Sequence, residues 1–210
     1  MGIAKNGILG PASGKVGPAV WYFDGVRNVV RSKSKRDAPP TMAELKNRLK
    51  MKTLMDLFST LKPYLRAGFS VEANGLGLNY HNVATSCNRL RISELEGGLE
   101  QLDYENLQLS KGTATMAEAP MVTAEANGLR FSWTWQPDDF ESADDQVMMM
   151  AYLPEQNTSL FDTAGAKRSH LQDFLPLPHA YLQARIEVYI SFTAKDRTRV
   201  SDSLYLGRIN

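Results

Sequence analysis

The feature that most constrains the fold is a change in hydrophobic period near residue 119. Beyond this point apolar and polar residues alternate, most clearly at 129–135 and 183–193. Successive side chains of a β-strand point to opposite faces, so alternation predicts strands with one buried face. About seven such segments follow at near-regular spacing, which favours an antiparallel β-sandwich of immunoglobulin or fibronectin type III kind over residues 117–210.

The same alternation predicts which side chains lie inside the sandwich. The predicted strands are 121–125, 129–135, 146–153, 160–163, 168–175, 183–193 and 200–209. We expect Phe131, Trp133 and Trp135 to share one face, because they lie two residues apart. Val188 and Ile190 are expected in the core for the same reason.

Residues 1–40 differ from the rest of the chain and form what we call the head. They hold six early glycines and an aromatic-rich run at 19–23. The dipeptide Asp24-Gly25 follows, and it is the strongest short-range signal for a two-residue hairpin turn. We therefore predict a β-hairpin with strands at 20–23 and 26–32. A lone hairpin is barely stable in water, so the head requires a surface to pack on.

A helical segment follows the head. Thr41 and Glu44 form a T-x-x-E capping box after two prolines, which predicts a helix start at this point. Apolar residues then recur at spacings of three and four along one helical face. This face consists of Met51, Leu54, Phe58, Leu61 and Leu65. We expect Pro63 to kink or restart the helix and Gly68 to cap its end.

The middle of the chain is less regular. A flexible connection is expected at 74–77 and a second helix at about 80–90. Weak alternation at 102–109 predicts a strand that returns to the head hairpin. The chain is thus predicted to be an α+β protein in two parts. Residues 1–112 would form the N-terminal hairpin head and helices, and residues 117–210 the sandwich.

The net charge of +1 conceals an uneven distribution. Residues 1–66 carry 13 basic and 4 acidic side chains, whereas residues 111–210 carry 9 basic and 13 acidic ones. A basic head on an acidic C-terminal half favours either polyanion binding or head-to-tail pairing with a second copy.

No motif assigns a catalytic, cofactor or metal site. Residues 10–15 resemble a phosphate-binding loop, but three residues separate the glycines instead of four. Val16 also stands where Ser or Thr would hold magnesium. The three histidines lie far apart without metal-ligand spacing. The acidic run at 138–145 lacks the spaced ligands of a calcium loop, so a solvated loop is expected.

Cys87 is the single cysteine, so an internal disulfide is excluded. This leaves a reducing compartment, or an export route that the sequence does not show. We expect its thiol to be unreactive, because no basic neighbour in sequence lowers its pKa. The three methionines at 148–150 are expected to belong to the sandwich core.

No apolar run is long enough to cross a bilayer, and the start lacks the apolar region of a signal peptide. The expectation is a cytoplasmic or virion-associated protein without membrane insertion.

The two ends of the chain carry distinctive patterns. Residues 6–17 read NGILGPASGKVG, residues 30–32 read VRS, and residues 200–207 read VSDSLYLG. These patterns resemble a family of unknown function from Bacteroidota over nearly the whole chain. That resemblance implies no activity, cofactor or catalytic residue. Residues 41–58, a capped helix after a Gly- and Lys-rich extended head, also resemble a pattern in small phage virion-associated proteins. The aromatic run at 21–23 is bulkier than the pattern of the first family.

Two functions are compatible with this sequence. The first is a non-enzymatic structural or assembly subunit, or a binding scaffold, that self-associates or docks to a protein partner through the head. The second is nucleic-acid binding, in which basic side chains contact phosphates and aromatic rings stack on bases. The candidate interaction residues are Trp21, Tyr22, Phe23, Arg27, Arg31, Lys33, Lys35 and Arg36.

Overall fold

The computed structural model describes residues 2–4, 13–23, 28–33, 38–94, 100–136 and 139–210. Within these ranges the protein is a mixed α+β structure with three α-helices, three antiparallel sheets and a two-stranded ribbon. The α+β class predicted from the sequence is therefore confirmed. The predicted division at 112 and 117 stays a prediction.

The head forms a four-stranded antiparallel sheet, which we call the head sheet. Its strands are β1 (Gly2–Ala4), β2 (Gly14–Val16), β3 (Ala19–Phe23) and β4 (Asn28–Ser32), in the spatial order β1-β4-β3-β2. Trp21 pairs with Val30 across β3 and β4, so the two predicted hairpin strands are confirmed. The Asp24-Gly25 turn lies outside the described residues. Two further short strands extend the hairpin on both sides.

Three helices follow: α1 (Met42–Thr60), α2 (Lys62–Leu76) and α3 (Tyr80–Asn88). The capping box is present, since the Glu44 amide donates to Thr41 Oγ1 and the Thr41 amide donates to Glu44 Oε2 at 2.8 Å. The first helix ends at Thr60, and after Leu61 a second begins with Pro63 in its first turn. This is the predicted restart, because proline is tolerated where its missing amide has no helical partner.

Two expectations for this region are wrong. Gly68 does not cap a helix but lies inside α2, where a side chain would clash with the backbone of Leu109 and Ser110. Residues 74–76 are helical, and Gly77 ends α2 in a left-handed conformation at φ 63°. Glycine adopts this conformation without the steric cost that other residues have.

The predicted strand at 102–109 is also wrong. Strand β5 (Ile92–Glu94) pairs with β6 (Glu100–Leu102) as a short ribbon, and a 3-10 turn occupies Tyr104–Asn106. In the described part of the chain, this segment therefore does not return to the head. It instead packs against α1 and the sheets that follow.

The C-terminal half contains seven strands among the described residues. They are β7 (Glu118–Glu125), β8 (Gly128–Thr134), β9 (Gln146–Leu153), β10 (Thr158–Asp162), β11 (Gln172–Pro176), β12 (Ile186–Thr193) and β13 (Leu204–Ile209). Sheet A has the order β11-β8-β7, and sheet B has the order β10-β9-β12-β13. The predicted strand positions are confirmed, although Arg168–His170 forms a 3-10 turn before β11.

The inner faces of sheets A and B share one hydrophobic cluster. Phe131 and Trp133 of β8 lie in it together with Val188 and Ile190 of β12, and all four are at most 3 % exposed. The Trp133 ring meets the Phe192 ring edge-on at 5.2 Å between centroids. The expected core residues are thus inside, whereas Trp135 lies one residue beyond β8 and is half-buried.

The outer face of sheet B is covered by the helices. A second hydrophobic cluster joins Leu54, Phe58 and Leu65 to Met150 of β9 and Tyr189 of β12. All eight residues of β12 are consequently buried. The three methionines are divided, since Met149 lies between the sheets and its two neighbours lie under the helices.

Candidate interaction surface

The register of the head sheet assigns each side chain to one of two faces. Residues that pair directly across antiparallel strands point to the same side. Trp21 pairs with Val30, and Ala19 pairs with Val16, so these four residues share a face that we call the apolar face. Phe23, two residues after Trp21, lies on the same face.

The apolar face is exposed on both sides of Trp21. Phe23 is 61 % exposed and Val16 is 66 % exposed, while Trp21 and Val30 are half-buried. Contiguous exposed apolar surface on a soluble domain marks an interaction site more often than isolated apolar residues do. The structure therefore places three neighbouring large side chains, Trp21, Phe23 and Val16, where a partner can cover them.

The opposite face of the head sheet is basic and aromatic. Lys15 pairs with Val20, which pairs with Arg31, so these three side chains form one cross-strand row. The Arg31 guanidinium lies 5.9 Å from the Tyr22 ring centroid. Lys15, Arg31 and Tyr22 are exposed, whereas Val29 on this face is only 3 % exposed.

The two edge strands of the head sheet are β1 and β2. An edge strand presents backbone amides and carbonyls that a further strand can pair with. The three residues of β2 are all exposed. The edge at β2 is therefore a second surface at which another strand can add to this sheet.

The candidate residues proposed from the sequence divide into two groups. Trp21, Tyr22 and Phe23 lie in β3 on alternating faces, and Arg31 and Lys33 are exposed in and after β4. The Lys33 amide donates to the Pro18 carbonyl oxygen at 2.7 Å. The remaining three, Arg27, Lys35 and Arg36, lie outside the described residues.

The apolar helical face around Leu54 and Leu65 is covered by sheet B. The cluster that buries Leu54 and Leu65 contains side chains from sheet B and, within the described ranges, none from the head sheet. The cluster between sheets A and B also contains none. The surfaces of the head sheet are thus not part of either described core.

Sequence reasoning missed a buried charge on β12. Glu187 is fully buried and binds Arg185 Nη2 at 2.7 Å and Arg208 Nε at 3.0 Å, and it accepts a hydrogen bond from the Tyr205 hydroxyl. Burial and this carboxylate raise the pKa of Tyr205. The sequence signal for this cluster was a lone glutamate in an otherwise apolar strand. A carboxylate buried in such a strand requires cationic partners. This cluster ties β12 to β13.

The acidic segment at 138–145 is likewise held by internal pairs. Asp144 binds Lys167 Nζ at 2.6 Å and Lys195 Nζ at 3.4 Å, and Asp145 binds Arg168. Among the described residues, no group of three or more His, Cys, Asp or Glu side chains is arranged to hold a metal ion. In its described part, the acidic segment is a turn in which Asp144 and Asp145 form ion pairs.

The thiol of Cys87 is half-buried at the end of α3. Burial raises the pKa of Cys87, although Lys111 nearby opposes this shift. A raised pKa lowers the fraction of reactive thiolate at neutral pH.

No helix in the described ranges has both the length and the apolar character needed to span a bilayer.

The sequence was also compared with known proteins. A model of the family of unknown function DUF6266 matches residues 11–207. The chain belongs to this family. No curated protein and no solved structure matches it. The match covers β2 to β4 of the head sheet, the helices and most of sheets A and B.

Proposed function

We propose that the protein is a non-enzymatic structural or assembly subunit, or a binding scaffold, that self-associates or docks to a protein partner through its head sheet. The observation that carries this proposal is the exposed apolar face, with Phe23 61 % and Val16 66 % exposed on either side of Trp21. Aromatic side chains bury roughly 150–250 Å² each, so covering this face provides a large driving force for association. The exposed β2 edge adds backbone hydrogen bonds to it.

Part of this proposal concerns the fold of the C-terminal half, which we infer to be a sandwich of immunoglobulin or fibronectin type III kind. The first, second and fifth strands of this half form sheet A, and the third, fourth, sixth and seventh form sheet B. This distribution is of the Greek-key type found in such sandwiches. Domains of this class serve as adhesive or spacing modules, which agrees with an assembly role by analogy alone.

The setting is also part of the proposal. The resemblance of the two ends of the chain supports an origin in Bacteroidota, and the head with its capped helix supports a virion- or surface-associated protein. In such assemblies a subunit is joined to its neighbours through strands and apolar faces. The head sheet offers both.

The first prediction tests the apolar face by substitution. Replacement of Val16 and Phe23 by serine should reduce the mass in solution from that of an oligomer to that of a monomer, because the driving force at this face is lost. Multi-angle light scattering on the full chain at micromolar concentration measures this mass. The matched control is Leu90→Ser, which removes an equally exposed apolar side chain, 82 % exposed, from the end of α3.

Deletion of residues 1–36 should have the same effect while the sandwich stays folded. A wild-type chain that is a monomer would overturn self-association. Docking to a different protein would then remain to be tested by binding of candidate partners to wild-type and variant chains. An oligomer that persists in V16S/F23S would show that the apolar face is not the contact.

Nucleic-acid binding is the second candidate, and the basic and aromatic face favours it. Lys15, Arg31 and Tyr22 lie together there, as phosphate contact and base stacking require. Fluorescence anisotropy of mixed-sequence single-stranded DNA should then show binding that weakens with salt. The variant K15E/R31E should abolish this binding, while V16S/F23S on the other face should retain it.

A further inference from the structure

A pocket lies between α1, the segment after β6 and the β9–β10 hairpin of sheet B. Three separate segments line it: Thr53 and Asp56 from α1, Tyr104 from the 3-10 turn after β6, and Tyr152 with Pro154 and Asn157 from the β9–β10 hairpin. Its volume is about 360 Å³, which is within the range of small-molecule sites. These residues are distant in sequence, so only the folded chain assembles this pocket.

Two aromatic rings form its walls. The Tyr104 and Tyr152 ring centroids are 6.1 Å apart, and the ring planes meet at 40°. The Tyr104 ring already makes one cation–π contact, since the Arg185 guanidinium lies 5.4 Å from its ring centroid. The charge of that guanidinium is balanced by Glu187 at 2.7 Å. Aromatic walls of this kind attract a cation placed against the ring face.

The pocket carries a negative charge. Asp56 is the one charged side chain among the described residues that line it, and in the described part of the chain no lysine or arginine forms an ion pair with it. This includes Lys52, which lies one helical turn earlier on α1. Asn157 Oδ1 accepts the Tyr152 hydroxyl at 3.1 Å and so fixes that ring against the hairpin.

We propose that this pocket binds a small organic cation, an alkylammonium group, with the charge near Asp56 and the methyl or methylene groups against Tyr104 and Tyr152. An ammonium group satisfies an unpaired carboxylate and two ring faces together, whereas an anion would meet the Asp56 charge and find no cation in the lining. Two rings and one carboxylate are the elements with which proteins recognise quaternary ammonium groups. This site does not depend on the function proposed for the head sheet.

The test compares a cation with a neutral molecule of the same shape. Choline and 3,3-dimethylbutan-1-ol differ in the replacement of the ammonium nitrogen by carbon. Each is titrated into the ¹⁵N-labelled full chain, and amide shifts are followed by NMR. Choline should shift amides at 53–57 and 155–158 and bind at least about tenfold more tightly than the alcohol, as expected when a cation–aromatic contact and a carboxylate act together.

Two variants separate the charge of the pocket from its shape. Asp56→Asn should weaken choline binding by about tenfold or more, since it removes the charge at an exposed helix position without changing its size. Glu155→Gln removes an exposed carboxylate from the same hairpin, outside the lining, and should leave the affinity unchanged. Equal binding of choline and the alcohol, wild-type affinity in D56N, or no shift at tens of millimolar choline would each overturn the proposal.

Discussion

At the scale of single residues, Arg168 connects three separate segments of the C-terminal half. Its side chain is only 3 % exposed, its Nη2 lies 3.3 Å from Asp145 Oδ2, and it donates to the Thr115 carbonyl oxygen at 2.6 Å. The guanidinium also lies 4.5 Å from the Phe192 ring centroid. Burial raises the pKa of the Asp145 carboxyl, and the Arg168 charge opposes that shift. A buried pair of this kind is costly to break, because the remaining charge has no partner.

The second prediction follows from this pair. Arg168→Met should lower the free energy of unfolding at neutral pH by about 3 kcal/mol, the usual cost of an uncompensated buried charge. Without Arg168 the native pKa of Asp145 rises further. A carboxyl with a raised native pKa stabilises the fold only at low pH and loses this contribution as the pH rises through that pKa. The deficit of R168M should therefore shrink as the pH falls below the native pKa of Asp145.

Urea unfolding at several pH values measures this deficit. The control is Lys167→Met, which removes the neighbouring exposed pair with Asp144 and should change stability little at any pH. A deficit in R168M that is independent of pH would show that packing, and not the charge of Asp145, causes the loss.

At the scale of elements, α2 passes so close to the segment after the 3-10 turn that one of its positions requires glycine. A Cβ atom on Gly68 would lie 2.6 Å from the Leu109 carbonyl oxygen and 2.7 Å from Ser110 Cβ. The Lys111 amide donates to the Gly68 carbonyl oxygen at 3.0 Å, which fixes the two backbones together. Gly75, in the last turn of the same helix, has open space around it.

The third prediction compares these two glycines. Gly68→Ala should lower the free energy of unfolding by about 1–3 kcal/mol, because backbone atoms must move to admit a methyl group. Gly75→Ala should raise it by up to about 1 kcal/mol, since alanine favours the helix and restricts the unfolded chain. Chemical denaturation of both variants provides the measurement. Equal effects of the same sign would mean that helix propensity, and not the close approach, determines both.

At the scale of the whole molecule, sheet B is the central layer. Its inner face packs on sheet A and its outer face on the helices, so helices and sandwich share buried side chains. The Tyr64 hydroxyl of α2 lies 3.0 Å from Ser191 Oγ of β12, and both residues are fully buried. Elements that share a core in this way are expected to unfold together.

The fourth prediction tests this shared core with Leu65→Ala. Leu65 is fully buried, so its truncation should cost about 2–5 kcal/mol. In a W21F background the tryptophan fluorescence reports on Trp133 and Trp135 of the sandwich, while far-UV circular dichroism is dominated by the helices. Both signals should shift to lower denaturant by the same amount. A sandwich transition that stays in place while the helical one moves would instead indicate that the two parts fold independently.

The sequence by itself determined the features that depend on local spacing. Alternation located the strands of sheets A and B, the Thr41–Glu44 pair located the start of α1, and Pro63 located the break before α2. These three predictions are confirmed because side-chain direction, capping and the missing proline amide act within a few residues. The aromatic run at 19–23 and the Asp24-Gly25 dipeptide also predicted the β3–β4 pair.

Only the tertiary structure decided the features that depend on partners distant in sequence. Alternation in β12 indicates one buried face, yet Glu187, Tyr189 and Ser191 on the other face are buried as well. Tyr189 and Ser191 pack against helices from the other half of the chain, whereas Glu187 is held by Arg185, Arg208 and Tyr205. Gly68 was expected to be a cap, but a contact with residues 109–110 determines its role. The pocket around Asp56 has no sequence signal, since its three segments meet only after folding. The hydrophobic period of a segment shows which of its own faces are apolar. Which element covers each face is set by the packing of the whole chain.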